Sequence, residues 1–326
     1  MKNFLNFAIV VLILSSCAGR RNSTVIEPES NETSTQEKAN FPRAEWKKVK
    51  VKNEEREFLV RMPNECLKLS CPLVFVFHGG MGDPEQIEKH SGFTETAIRE
   101  KFIVVYPRGQ NRQWNDGRAG QNDDVDDIAF FDVMWESLKA EYKFDRRRVF
   151  TTGISNGGFF SFRLACERSE IILAAAPVAA NHSVGVLDKC RPKMPVAILN
   201  IVGTDDQAVP YNGGVVTVLL RIRKRGEVLS SDQTIQSWIA NNKCSKAVKN
   251  ETIDKIKNDE TSVQTESYED CKSRMIVRRM SVIGGGHTWP GHPPTHRGSF
   301  HSAVTSMEID ATEEIWGFFK TISPKL

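Results

Sequence analysis

Ser155 stands in Gly153-Ile154-Ser155-Asn156-Gly157, a G-x-S-x-G pentapeptide. A serine hydroxyl becomes a competent nucleophile at neutral pH only when a neighbouring base takes its proton. The residues around it suit that task. Arg147 to Thr152 reads as a buried strand, and Gly158 to Cys166 as a helix with an apolar face. A strand, a tight turn and a helix hold such a serine at the tip of a strained backbone. Glycine flanks it because a side chain there would strike the strand or the helix.

Other segments supply what the serine lacks. His287 follows Gly284-Gly285-Gly286 and the run Met280 to Ile283, so a tight exit loop can swing its imidazole over the serine. Asp205 and Asp206 follow the run Val196 to Val202, and either carboxylate can fix the tautomer of a catalytic histidine. His78-Gly79-Gly80-Met81-Gly82 follows Leu73 to Phe77. Small residues there let backbone N–H groups approach a substrate oxygen. Gly80 and Asn156 are the expected oxyanion donors, each contributing roughly 3–4 kcal/mol to transition-state stabilisation. A metal cluster of His287, His292, His296 and His301 matches no ligand spacing, and Pro294 breaks helical phasing among them. The acidic run Asp123 to Asp127 reads as a helix N-cap and solvated turn rather than a calcium loop. No cofactor or metal is expected.

The elements that must position these groups alternate strand and helix. Trp46 to Val51 and Glu57 to Met62 read as an antiparallel pair, and Leu73 to Phe77 and Phe102 to Tyr106 as strands buried on both faces. Pro84 to Lys101 and Asp126 to Tyr142 suit helices. Ile171 to Ala176, Val196 to Val202 and Arg274 to Ile283 suit strands, and Ser231 to Asn241 and Ala311 to Thr321 helices. The charged insert Ser245 to Asp270 reads as a solvated excursion. The pattern predicts an α/β fold, a mostly parallel sheet with helices on both faces and sites at the C-terminal strand ends. The chain order Ser155, aspartate, His287 is that of α/β hydrolases.

The chain has 326 residues, enough for one α/β domain, and its 44 Lys and Arg against 41 Asp and Glu give no field that draws nucleic acid. Met1-Lys2-Asn3 and the apolar run Phe7 to Leu14 read as a secretory signal over residues 1–16. Leu14-Ser15-Ser16-Cys17 resembles a bacterial lipobox, in which Cys17 is acylated. Residues 17–42 read as a polar, disordered tether, and 43–326 as a single catalytic domain. The expectation is a lipid-anchored protein on an outer membrane or cell surface. Without Cys17, six cysteines remain, and fifteen pairings are possible in principle. Sequence proximity favours Cys66 with Cys71, Cys166 with Cys190, and Cys244 with Cys271.

The chain resembles the secreted polyhydroxybutyrate depolymerase-like and feruloyl esterase group of α/β hydrolases, related to carbohydrate esterase family one. The likeness runs from about Leu73 to Gly291. It is carried by His78-Gly79-Gly80, Tyr106-Pro107-x-Gly109, Trp114-Asn115, Asp126 to Phe130, Gly153 to Gly158, Gly203-Thr204-x-Asp206-x-x-Val209-Pro210-Tyr211 and Gly285-Gly286-His287-Thr288-Trp289-Pro290-Gly291. The resemblance implies Ser155 as nucleophile, Asp206 rather than Asp205 as acid, His287 as base, and bridges near Cys166–Cys190 and Cys244–Cys271. Val202 departs from it, standing where the group usually has histidine. Trp114, Asn115 and Trp289 are candidate substrate contacts, the indoles stacking on a sugar or aromatic acyl group unless they are core aromatics. The implied activity is two-step hydrolysis of soluble or polysaccharide-linked esters, feruloyl or acetyl. Hydroxyalkanoate oligomers are the alternative, and a non-catalytic glycan-binding lipoprotein is a more distant one. With the chain ending at Leu326, the surface-binding module common in enzymes that attack solid polyester is not expected, which favours soluble or oligomeric esters.

Overall fold

Apolar alternation dictates the layering. In the strand Cys71–Phe77 every residue is buried. Phe75 and Phe77 point to one side, Val74 and Val76 to the other, and each pair enters a separate apolar core. A strand buried on both faces must lie in the middle of a sheet that is covered twice.

The computed structural model describes residues 43–322 apart from 121, 188, 219–222 and 294–303. The signal at 1–16, Cys17 and the tether to residue 42 lie outside the described residues, as do His296 and His301. The strands are β1 (Arg43–Val51), β2 (Glu54–Met62), β3 (Cys71–Phe77), β4 (Ile103–Pro107), β5 (Phe144–Ile154), β6 (Ala174–Val178), β7 (Ala197–Gly203), β8 (Gly214–Val218), β9 (Arg223–Val228), β10 (Lys246–Ile253), β11 (Ser262–Glu269) and β12 (Val277–Ile283). Ten of them form one sheet in the order β1-β2-β4-β3-β5-β6-β7-β12-β11-β10, and β8 and β9 form a separate hairpin. The central strands β4 through β12 in that order are parallel. An antiparallel pair flanks each side.

The helices are α1 (Pro84–Ser91), α2 (Phe93–Glu100), α3 (Asp127–Glu141), α4 (Asn156–Glu167), α5 (Val184–Leu187), α6 (Ser231–Asn242) and α7 (Ala311–Ile322). Side chains of α3, α4 and α6 pack on the face that carries Phe75 and Phe77, and those of α1, α2 and α7 on the face that carries Val74 and Val76.

Two expectations are corrected. The helix expected over 84–101 is two helices, because Gly92 adopts φ 67° and ends α1 before α2 begins. The insert 245–270 is not a solvated excursion. It forms β10 and β11, which extend the sheet, with Val263 fully buried. Its ends are joined by the Cys244–Cys271 disulfide; Cys66–Cys71 and Cys166–Cys190 are bonded as well.

Candidate active site

The parallel strands bring the sequence candidates to one edge of the sheet. Ser155 follows β5, Asp206 follows β7 and His287 follows β12. Ser155 has φ 55° and ψ −121°, a conformation costly for a side-chain-bearing residue. It is held there by its own N–H donating to Val178 O (2.9 Å) and by Phe159 N–H donating to Ser155 O (2.9 Å). The flanking glycines are required by the close approach of β3. A Cβ on Gly153 would lie 2.5 Å from Phe77 O, and one on Gly157 2.5 Å from His78 O.

Asp206 and His287 are in contact and buried. His287 Nδ1 donates to Asp206 Oδ2 (2.7 Å), while Asp206 Oδ1 accepts from the N–H groups of Ala208 and Val209, each at 2.8 Å. With Nδ1–H committed to the carboxylate, Nε2 is the ring atom with a basic lone pair. Asp205 is exposed and takes a hydrogen bond from Thr204 Oγ1 instead (3.0 Å). Ser155 Oγ makes no hydrogen bond among the described residues, and none joins it to His287. Catalytic hydrogen bonds are commonly long in a free enzyme and tighten when substrate binds.

The loop after β3 lies on the serine: a Cβ on Gly79 would be 3.7 Å from Ser155 Cβ. A turn closed by Gly82 N–H donating to Gly79 O (3.0 Å) shapes it, and Met81 N–H donates to Arg112 O (2.8 Å). Among the described residues the N–H groups of Gly80 and Asn156 have no protein acceptor. His78 locks the loop from beneath. Its Nδ1 donates to Gly79 O (2.7 Å), and its Nε2 accepts from Gly109 N–H (2.9 Å). Burial drives its pKa down to about 4, so the ring is neutral in the folded protein at ordinary pH.

A buried polar network supports the elbow, the turn at Ser155 between β5 and α4. Asn156 Oδ1 accepts from Trp114 N–H (2.7 Å), and Asn156 Nδ2 donates to Trp114 O (3.0 Å) and Asp116 Oδ2 (2.7 Å). Asp116 is paired with Arg118, whose guanidinium lies 4.0 Å from the Phe159 ring centroid and donates to Arg225 O. Sequence reasoning missed this network, since nothing in Asp116-Gly117-Arg118 signals burial. The acidic run next to it divides in role. Asp126 caps α3 by accepting from Ala129 N–H, as the sequence suggests, whereas Asp127 is buried against Arg56.

The candidate substrate contacts are corrected. Trp114 is fully buried, stacked on Phe160, with its indole N–H donating to His78 O (2.9 Å). Trp289 is equally buried, with its N–H donating to Thr312 Oγ1 (3.0 Å). Neither indole face is open to a ligand. Asn115 is occupied internally, giving hydrogen bonds to Asp127 and Val125 and receiving them from Arg163. One His/Cys group has metal-ligand distances among the described residues, Cys166, His182 and Cys190, but its sulfurs are joined as a disulfide.

No protein-family profile matches the chain. In sequence it is similar to feruloyl esterase B of Piromyces equi, 29% identical over 239 residues, covering 71% of this chain and 42% of that protein. It is also similar to the bifunctional acetylxylan esterase/xylanase XynS20E of Neocallimastix patriciarum, 28% identical over 156 residues, covering 48% of this chain and 22% of that protein. The chain thus spans less than half the length of either relative. Among solved structures, an acetyl xylan esterase from Aspergillus awamori superposes with a TM-score of 0.57 at 14% identity, covering 85% of this chain and 99% of the other. That likeness speaks to fold alone. The chain has the α/β-hydrolase fold, and the resemblance read from its motifs is met by sequence relatives that are feruloyl and acetylxylan esterases.

Proposed function

We propose that the protein is a serine carboxylic ester hydrolase acting on feruloyl or acetyl esters, with Ser155 as nucleophile, His287 as base and Asp206 as the acid that orients it. The reading rests on one observation: a strained serine beside two N–H groups that have no acceptor among the described residues, on the sheet edge that also carries a His–Asp pair. The names of the sequence relatives favour the acyl classes. His287 Nε2 takes the Ser155 proton as Oγ attacks the ester carbonyl, and the carbonyl electrons move onto its oxygen. The N–H groups of Gly80 and Asn156 receive that oxyanion. Collapse of the intermediate expels the alcohol, which takes the proton from His287. Water then attacks the acyl-enzyme, giving its proton to His287, and Ser155 leaves with that proton as the carboxylic acid departs.

Wild type should hydrolyse an aryl acetate and react covalently with a fluorophosphonate. Ser155→Ala should lose the labelling and on the order of 10⁵ to 10⁶ in kcat. An alanine variant as fast as wild type would end the assignment. Methyl ferulate, acetylated xylan and hydroxybutyrate oligomers assayed together rank the acyl classes. The three disulfides favour an oxidising compartment, in keeping with the proposed export and acylation at Cys17.

A further inference from the structure

We propose that the side-chain amide of Gln113 is a third hydrogen-bond donor to the substrate oxyanion, beside the N–H groups of Gly80 and Asn156. The inference rests on the hydrolase reading above and adds a residue to its chemistry. Gln113 lies in the segment between β4 and α3, and its neighbours are tied to both halves of the oxyanion site. Arg112 O accepts from Met81 N–H (2.8 Å), next to Gly80, and Trp114 N–H donates to Asn156 Oδ1 (2.7 Å). The Gln113 backbone is committed as well: its N–H donates to Gln110 O (3.1 Å), and its carbonyl accepts from Asn122 Nδ2 (3.4 Å). The amide alone is idle. Among the described residues it has no hydrogen-bond partner, it is half-buried, and it lies against Gly80. Its Oε1 and Nε2 are 3.1 and 3.3 Å from where a Cβ on Gly80 would sit.

Among the described residues, three donors thus lack acceptors, two from backbone and one from a side chain, and the backbone on either side of Gln113 is tied to the neighbourhood of the other two. A primary amide presents an acceptor edge and a donor edge. A negatively charged oxygen selects the NH2 edge.

The simpler alternative is that Gln113 only fills space against Gly80. Leucine fills the same space without a donor, so kinetics on a small aryl acetate separate the two. Gln113→Leu should keep its melting temperature and KM and lose on the order of a hundred-fold in kcat. Inhibition by a phenylboronic acid should weaken by a similar factor. Gln113→Glu places a carboxylate beside the oxyanion. Its rate relative to wild type should be lowest at about pH 8 and climb toward about pH 5 as the new carboxyl gains a proton. An active wild type with an equally active Gln113→Leu variant, or a Glu-to-wild-type ratio flat with pH, overturns this role alone. An inactive wild type whose Ser155 resists fluorophosphonate removes the hydrolase reading and this role together.

Discussion

The two halves of the candidate site are held by different means. On the nucleophile half, buried side chains reinforce the backbone hydrogen bonds: His78, Asn156, Asp116 and Arg118 are buried and cross-linked around the turn that carries Ser155. On the base half the backbone dominates. Asp205 N–H donates to Gly285 O (3.0 Å), Thr204 N–H to Val282 O (2.9 Å), and Ala208 and Val209 N–H to Asp206. Buried polar side chains are costly to leave unpaired, whereas backbone hydrogen bonds survive most substitutions. Substitution on the base half should therefore damage chemistry and spare the fold. On the nucleophile half, substitution within the buried network of Asn156, Asp116 and Arg118 should damage the fold first.

The largest expected effect tests the first clause. Asp206→Asn keeps the acceptor for the two backbone donors but favours the wrong histidine tautomer. It should lower kcat on the order of 10⁴-fold, about 5 kcal/mol in barrier, with an unchanged melting temperature. A large drop in melting temperature would erase the contrast. Arg118→Met tests the second clause by leaving Asp116 buried and unpaired. Urea melts should show a loss of about 3–5 kcal/mol. A neutral result would mean that the pair does not support the elbow.

Acid sharpens the comparison next. The buried His78 titrates at about 4 in the folded chain, against 6.5 ordinarily. Between those values the unfolded ring binds a proton that the folded ring refuses. Stability is therefore full above about pH 6.5 and declines as pH falls toward about 4, by about 3 kcal/mol from this ring. Urea melts across that window should show the slope, reduced in His78→Gln. Equal slopes in the two proteins would place the acid sensitivity elsewhere. The smallest effect belongs to Asn156→Ala, which strands Trp114 N–H and should cost about 1–3 kcal/mol while leaving its own backbone N–H in place. A variant as stable as wild type would show that the side chain is dispensable to the elbow.

The strands that carry Ser155, Asp206 and His287 are legible because each ends at a glycine-bearing exit, after a largely apolar run before Asp206 and after shorter ones, Val149 to Phe150 and Met280 to Ile283, before Ser155 and His287. Such runs belong to central parallel strands, whose surroundings are apolar on both sides. β10 and β11 are illegible for the converse reason. They lie at the edge of the sheet, and in Ser262–Glu269 only Val263 and Ser267 are buried, so their pattern reads as surface. The Asp116–Arg118 pair is illegible because its burial depends on Phe159 and Arg225, distant in sequence. Trp114 and Trp289 show the limit of reading aromatics beside catalytic motifs. Adjacency in sequence says nothing of which way a ring turns, and both turn inward.

The Cys166–Cys190 bond lies near the far end of α4, the helix whose first turn presents Ser155. The helix is thus clamped at its tail by a link that a reducing cytosol would not preserve. A recombinant host should therefore make this protein in its periplasm. Material from the cytosol should arrive with that helix under-tethered and fade faster on storage, whatever the condition of its catalytic groups.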